Sequence, residues 1–165
     1  MELQELREKV ELGNFKEAIE IVEKYGETKC IEATGELIVH LMETDHPRFR
    51  NAIAIALSDM GAQEAVEPLM ELLEDPKTVG NRGSLLYALE SFDCSKHAQK
   101  LVQFMCEGNF EVSRQSYLVL QACKDKISMH EREWCIGRLQ QAIDELEDKE
   151  QAAFLSEAID ELFGE

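Results

Sequence analysis

The chain has 165 residues, of which 34 are acidic and 17 are lysine or arginine, so its formal net charge is −17. This length fits one domain, and a hydrophobic fraction of 44% is sufficient to build a core despite the acidity. The negative charge argues against nucleic acid or an anionic membrane surface as the main partner, because both would repel it. No apolar run has the length that crossing a bilayer requires, and the first residues lack the profile of a secretory signal.

The cysteines also bear on the cellular compartment. Five are present, an odd number, and they are scattered through helix-like segments with no C-x-x-C pair. Disulfide-stapled secreted domains are typically shorter and denser in cysteine. We therefore expect reduced thiols and a cytoplasmic protein.

Apolar residues recur at helical spacing along the whole chain, in stretches separated by glycine and proline. Ala18, Val22 and Tyr25 share one helical face, for example, and Gly26 is predicted to end that helix. No segment alternates apolar and polar residues with the period of a strand. The sequence therefore predicts an all-α protein with helices near residues 2–12, 14–25, 29–43, 47–59, 63–74, 79–91, 95–107, 110–123, 129–146 and 149–163.

An internal repeat relates successive helix pairs. A shift of 32 residues superposes Arg50, Arg82 and Arg114. The same shift aligns leucines and small residues: Leu37, Leu69 and Leu101; Ala52, Ser84 and Ser116. A helix pair of this length is too small to bury its own apolar face, so we expect successive units to stack.

One repeat carries a family resemblance. Residues 50–61 (RNAIAIALSDMG) and 65–76 (AVEPLMELLEDP) together resemble a bacterial HEAT-like repeat of the phycobilisome-lyase type. The shared features are an arginine entering the first helix, small residues along it, a glycine at the turn and a closing aspartate. The resemblance implies a HEAT-like α-solenoid of about five antiparallel helix pairs.

This architecture predicts a single domain spanning residues 1–165. Its best repeats are 47–76, 79–107 and 110–123, and its atypical capping helices occupy 1–43 and 129–165. The ends are acidic, with a net charge of −7 for residues 1–45 and −8 for residues 140–165. Terminal repeats need a polar outer surface to stay soluble, although the same acidity would also attract a basic partner.

The recurring arginines are predicted to order the repeats. In repeats of this type, the resemblance implies that they pair with the acidic residues closing each unit, which here are Glu43, Asp75 and Glu107. Bidentate contacts between guanidinium and carboxylate would fix how one repeat stacks on the next. The alternative is an anion-binding ladder, which requires unpaired guanidinium groups.

The second helix of each pair is expected to line the concave surface of such a solenoid. Its outward side chains are therefore the candidate partner-binding residues. In the first two of these helices they are Glu32, Glu36, His40, Glu64, Glu67, Glu71 and Glu74, and in the next they are Lys96, Gln99, Lys100 and Gln103. The surface would grade from acidic to neutral or basic along the chain, unless this face is merely solvated.

Chemistry-bearing sites are not favoured. Cys94 and His97 form a C-x2-H pair, but a structural zinc site needs four converging ligands, which usually come as close pairs from loops. Cys123, His130 and Cys135 lie downstream without a second tight pair. Nucleophile elbows, phosphate-binding loops and H-E-x-x-H motifs are missing from the sequence. We therefore expect no metal, no cofactor and no enzymatic activity.

The sequence thus favours a protein-binding scaffold with a basic protein partner. Trp134 and Tyr117 are further candidate anchors, although core packing is the more frequent role at helical spacing. One concrete form, implied by the resemblance alone, is an immunity protein that neutralises a bacterial nuclease toxin. The alternative is a chromophore (bilin) lyase or lyase-partner subunit, while the acidity disfavours a HEAT-like DNA glycosylase.

Overall fold

The computed structural model describes residues 2–164, and all regular structure in this range is helical. The ten α-helices are α1 (Glu2–Glu11), α2 (Phe15–Thr28), α3 (Thr34–Glu43), α4 (Pro47–Met60), α5 (Val66–Glu74), α6 (Arg82–Leu89), α7 (Ala98–Glu107), α8 (Phe110–Cys123), α9 (Met129–Glu145) and α10 (Lys149–Phe163). They pack in pairs, so the predicted all-α, HEAT-like α-solenoid fold is confirmed. None of these helices is both long and apolar enough to cross a membrane.

The 32-residue repeat is visible in the local structure. Helices α3, α5 and α7 each follow a 3-10 turn, at Ile31–Ala33, Gln63–Ala65 and Ser95–His97. These three turns keep the spacing that the sequence repeat predicts. The last residues of the three turns are Ala33, Ala65 and His97, which occupy equivalent positions in the repeat.

The chain forms two compact units, one extending to Phe92 and the other beginning at Asp93. In the first unit, α2, α4 and α6 pack side by side in one layer, while α3 and α5 are neighbours in a second layer. Val22, Leu57 and Leu69 are fully buried in this unit. The contact between α4 and α6 is the stacking that the repeat predicted for residues 47–59 and 79–91.

The second unit contains the neighbouring helix pairs α7–α8 and α9–α10. In this unit α7 packs against both α8 and α9, and α10 packs against α9 and α8. Leu101, Leu120 and Leu139 are fully buried there. The prediction that residues 1–165 form one domain stays a prediction.

The sequence predicted that Gly26 ends the second helix, and this prediction is wrong. Gly26 lies inside α2. The helix continues to Thr28, and Lys29 follows it in the left-handed conformation, with φ of 51°. Gly26 is buried against α4, where an added Cβ would lie 3.1 Å from the Cα atom of Ala56. This glycine therefore allows two helices to approach closely, a role that needs the missing side chain.

Two of the recurring arginines bind helix ends through the backbone. Arg50 is buried, and its Nη2 atom donates to the carbonyl of Thr44 at 3.1 Å. The Nε atom of Arg82 donates to the carbonyl of Leu73 at 2.7 Å. The last carbonyls of a helix lack intrahelical donors and carry negative partial charge. A guanidinium supplies both the missing hydrogen-bond donor and a positive charge. For Arg50, the predicted pairing with the carboxylate of Glu43 is therefore wrong.

The third arginine has a different environment. Arg114 lies over the rings of Phe110 and Phe154, with its Cζ atom 4.4 and 4.5 Å from their centroids. The equivalent helix-end carbonyl, that of Met105, instead accepts a 2.8 Å hydrogen bond from the hydroxyl of Ser113. A serine therefore supplies at Met105 the hydrogen bond that an arginine supplies at Leu73, while Arg114 contacts two aromatic rings instead.

Candidate protein-binding face

The exposed part of the predicted site lies on α5 and the turn before it. Leu69 and Leu73 of this helix are fully buried, so the opposite side faces solvent. The side chains exposed there are Glu64, Glu67, Glu71 and Glu74, which we call the α5 acidic face. Within residues 2–164, Glu64 and Glu71 form no ion pair. The prediction that these four residues face outward is confirmed.

The prediction is wrong for two residues of α3. Glu36 contacts α1 and His40 contacts the ring of Phe49 on α4, and their side chains are only 18% and 12% exposed. Glu36 accepts hydrogen bonds from Nε and Nη2 of Arg7 at 2.6 and 3.0 Å, and Nε2 of His40 lies 3.2 Å from Glu36. The hydrogen bond from Arg7 and its positive charge hold the pKa of Glu36 below its usual value.

The repeat register explains the position of His40 and identifies an exposed residue that the sequence analysis missed. A shift of 32 residues places His40 at the position of Leu72, which is buried between helices. The same shift places Val39 at the position of Glu71, which faces outward. Val39 is accordingly 49% exposed. Glu32, aligned with Glu64, is exposed as predicted.

The candidate residues of α7 and of the 3-10 turn before it also fall into two groups. Lys96 and Lys100 are exposed, as expected. The other two contact α9: Gln99 Nε2 donates to Glu131 Oε1 at 3.5 Å, and Gln103 Oε1 accepts from Nε of Arg138 at 2.7 Å. Both glutamines are half-buried, so they hold two helices together rather than facing a partner freely.

The thiols of the second unit lie in its core. Cys94, Cys123 and Cys135 are buried, and burial raises the pKa of Cys94 and of Cys135 to about 12. Among the described residues, no group of three or more His, Cys, Asp or Glu side chains is placed to hold a metal ion. These cysteines therefore contribute packing, as small apolar side chains do.

The two aromatic candidates have different surroundings. Trp134 is 37% exposed on α9. Tyr117 donates a hydrogen bond to Glu161 and contacts the ring edge of Phe154, with the centroids 5.6 Å apart. Burial, followed by the hydrogen bond and charge of Glu161, raises the pKa of Tyr117 to about 12. Tyr117 therefore links α8 to α10, whereas Trp134 keeps an accessible surface.

Comparison with known proteins supports the interpretation of the first unit. Residues 12–89 match the family model of HEAT repeats, which supports a HEAT-like repeat protein. Comparisons with curated proteins and with solved structures gave no match. HEAT repeats are scaffolds that often mediate protein interactions. The bacterial and phycobilisome-lyase features of the resemblance stay predictions.

Proposed function

We propose that this protein is a non-enzymatic scaffold that holds a basic protein partner on the α5 acidic face. The observation that carries the proposal is the concentration of four exposed glutamates on this short segment. Residues 63–74 contain no lysine or arginine, so the charge of this segment is wholly negative. Such a surface attracts a positively charged protein and raises its association rate.

The backbone beneath these carboxylates is held at several points. Leu69, Leu72 and Leu73 are buried on the inner side of α5. The carbonyl of Leu72 accepts from the hydroxyl of the buried Thr78, and that of Leu73 accepts from Arg82. A partner would therefore not have to order this helix on binding, which lowers the entropic cost of association.

A finer version of the proposal is an immunity protein that occludes the basic cleft of a nuclease toxin. The acidity of the α5 acidic face suits such a cleft, since the cleft itself binds a polyanion. This version rests otherwise on the sequence resemblance, as does bacterial origin. A cytoplasmic location rests instead on the five scattered cysteines. The bilin-lyase alternative rests on the sequence resemblance alone.

The test compares capture by three immobilised proteins from a lysate of the source cells. They are the wild type, a variant carrying Glu64→Lys, Glu67→Lys and Glu71→Lys, and a control carrying Glu20→Lys, Glu23→Lys and Glu27→Lys. The control residues are exposed on α2, have the same sequence spacing and change the net charge equally. We expect the α5 variant to recover at least about tenfold less of a basic partner than the control does, because local charge steers association.

The control separates a specific face from overall charge. Circular dichroism first establishes that both variants remain folded, as expected for exposed positions. Equal recovery of the partner by all three proteins would place its binding site elsewhere on the chain. Equal loss from both variants would show that only the net charge matters.

A further inference from the structure

We propose that a groove at the end of α3 binds an arginine side chain of the basic partner. This inference rests on the proposed function and adds a specific anchoring site to it. The groove lies between the α1–α2 turn and the α3–α4 turn and has a volume of about 610 Å³. Residues that contribute to its lining are Val10, Phe15, Glu43, Asp45, His46 and Pro47. Its volume is in the range of small-ligand sites, about 300–1,000 Å³.

Two stacked rings form a rigid part of the lining. The ring centroids of Phe15 and His46 are 4.2 Å apart, and the rings are inclined by 25°. His46 is the N-cap of α4, and its Nδ1 atom accepts a 3.1 Å hydrogen bond from the amide of Phe49. This bond fixes the orientation of the His46 ring. A planar guanidinium stacks well on rings of this kind, and Val10 and Pro47 offer apolar surface for its methylene groups.

Carboxylates supply the opposite charge. Glu43 is exposed and forms no ion pair within the described part of the chain, and the side chain of Asp45 is 93% exposed. Both lie at the C-terminal end of α3, where the helix dipole adds negative partial charge. Two carboxylates beside a ring surface suit the fork of N–H donors in arginine better than the compact ammonium of lysine.

The protein already holds one cation at this helix end. The Nζ atom of Lys77 donates to the carbonyl of Met42 at 2.9 Å and lies 4.0 Å from Oδ1 of Asp45. This internal ammonium lies beside Oδ1 of Asp45, which leaves the Oδ2 atom of Asp45 and the carboxylate of Glu43 for a second cation. Anionic ligands would be repelled by the same carboxylates. The described residues offer no cluster able to hold a metal ion here or elsewhere.

The groove also has a suitable position relative to the α5 acidic face. Helices α3 and α5 are equivalent members of successive repeats and neighbours in one layer. Their C-terminal ends, at Glu43 and Glu74, therefore lie at the same edge of the first unit. A basic protein docked on α5 is then close enough to extend an arginine into the groove.

The test titrates the ¹⁵N-labelled protein with N-acetyl-arginine methylamide and follows backbone amide shifts by NMR. We expect saturable shifts at Phe15, Asp45 and His46, with a Kd of about 1–10 mM for so small a probe. The citrulline analogue has nearly the same shape without the charge, and we expect it to bind at least about tenfold more weakly. Equal binding of both probes, or shifts that never saturate, would overturn the inference.

Matched variants locate the interaction. Glu43→Gln combined with Asp45→Asn preserves side-chain shape and should weaken binding of the arginine probe at least about fivefold. Glu20→Gln combined with Glu23→Gln, on exposed positions of α2, should leave it unchanged. Unchanged affinity in the first variant would also overturn the inference. If the groove fails these tests while the α5 reversal still abolishes partner capture, the proposed function stands without this anchor.

Discussion

The Nε atom of Arg82 donates a 2.7 Å hydrogen bond to the carbonyl oxygen of Leu73, one residue before the end of α5. Arg82 is the first residue of α6, so this bond joins the end of one helix to the start of the next. Arg50 likewise joins α3 to α4, although its acceptor is the carbonyl of Thr44, the residue that follows α3. Arg50 and Arg82 therefore order successive helices, and the bond from Arg82 helps to hold the helix that carries the α5 acidic face.

Replacing Arg82 with alanine should destabilise the protein by about 1–3 kcal/mol, because a helix-end carbonyl loses its donor. Chemical denaturation followed by circular dichroism measures this change. Arg48→Ala, at an exposed position of α4, is the matched control and should change stability by less than about 0.5 kcal/mol. Equal stabilities of the two variants would refute the structural role of Arg82.

Gly26 provides a second stability test. Gly26→Leu should destabilise by about 1–3 kcal/mol, since an added Cβ would already lie 3.1 Å from Cα of Ala56. Gly137 lies within α9 with no atom within 4 Å of an added Cβ. Gly137→Ala should therefore stabilise the protein by about 0.5–1 kcal/mol through helix propensity. Thermal melts compare the stability of each variant with that of the wild type. An unchanged stability of Gly26→Leu would contradict the close contact between Gly26 and Ala56.

The fold was largely predictable because its signals are local and repeated. Helical periodicity placed all ten helices, and the 32-residue shift predicted the stacking of α4 on α6. The end of α2 was missed because Gly26 has two opposite uses. A glycine can end a helix or permit close packing, and only the tertiary contact with Ala56 distinguishes these roles.

The candidate site was only partly predictable. The outward orientation of the α5 glutamates follows from helical spacing, because Leu69 and Leu73 are buried on the opposite side of this helix. Glu36 was misplaced because Arg7 of α1 binds it, and His40 was misplaced because it contacts Glu36 and the ring of Phe49. Sequence periodicity assigns a side chain to a side of its own helix, but it does not reveal which atypical terminal helix covers that side.

The contact between Glu36 and Arg7 predicts a pH dependence of stability. The pKa of Glu36 lies below its ordinary value of 4.5 in the folded protein, so its ionised form stabilises the fold above that pH. This contribution is lost as the pH falls from 4.5 through the lower folded value. The difference in melting temperature between the wild type and Glu36→Gln should therefore be largest at pH 7 and should shrink below pH 4.5. A constant difference across this range would contradict the ion pair.

Thiol reactivity tests the packing of the second unit. Because the pKa of Cys94 and of Cys135 is raised to about 12, only about one thiol in ten thousand is ionised at pH 8. Labelling with N-ethylmaleimide followed by mass spectrometry should modify the half-buried Cys30 first. Cys94 and Cys135 should be labelled only after unfolding in guanidinium chloride. Rapid labelling of either residue in the native protein would show that the core is open.

The most direct test of the α5 acidic face is the association rate of the purified partner, measured by stopped-flow mixing at 0.1 M and 1 M salt. We expect at least about tenfold slower association for the variant carrying Glu64→Lys, Glu67→Lys and Glu71→Lys at 0.1 M. This difference should shrink at 1 M, where the screening length falls from about 10 Å to about 3 Å. The α2 control should associate nearly as fast as the wild type. Equal association rates for the α5 variant and the wild type at 0.1 M salt would contradict partner binding on this face.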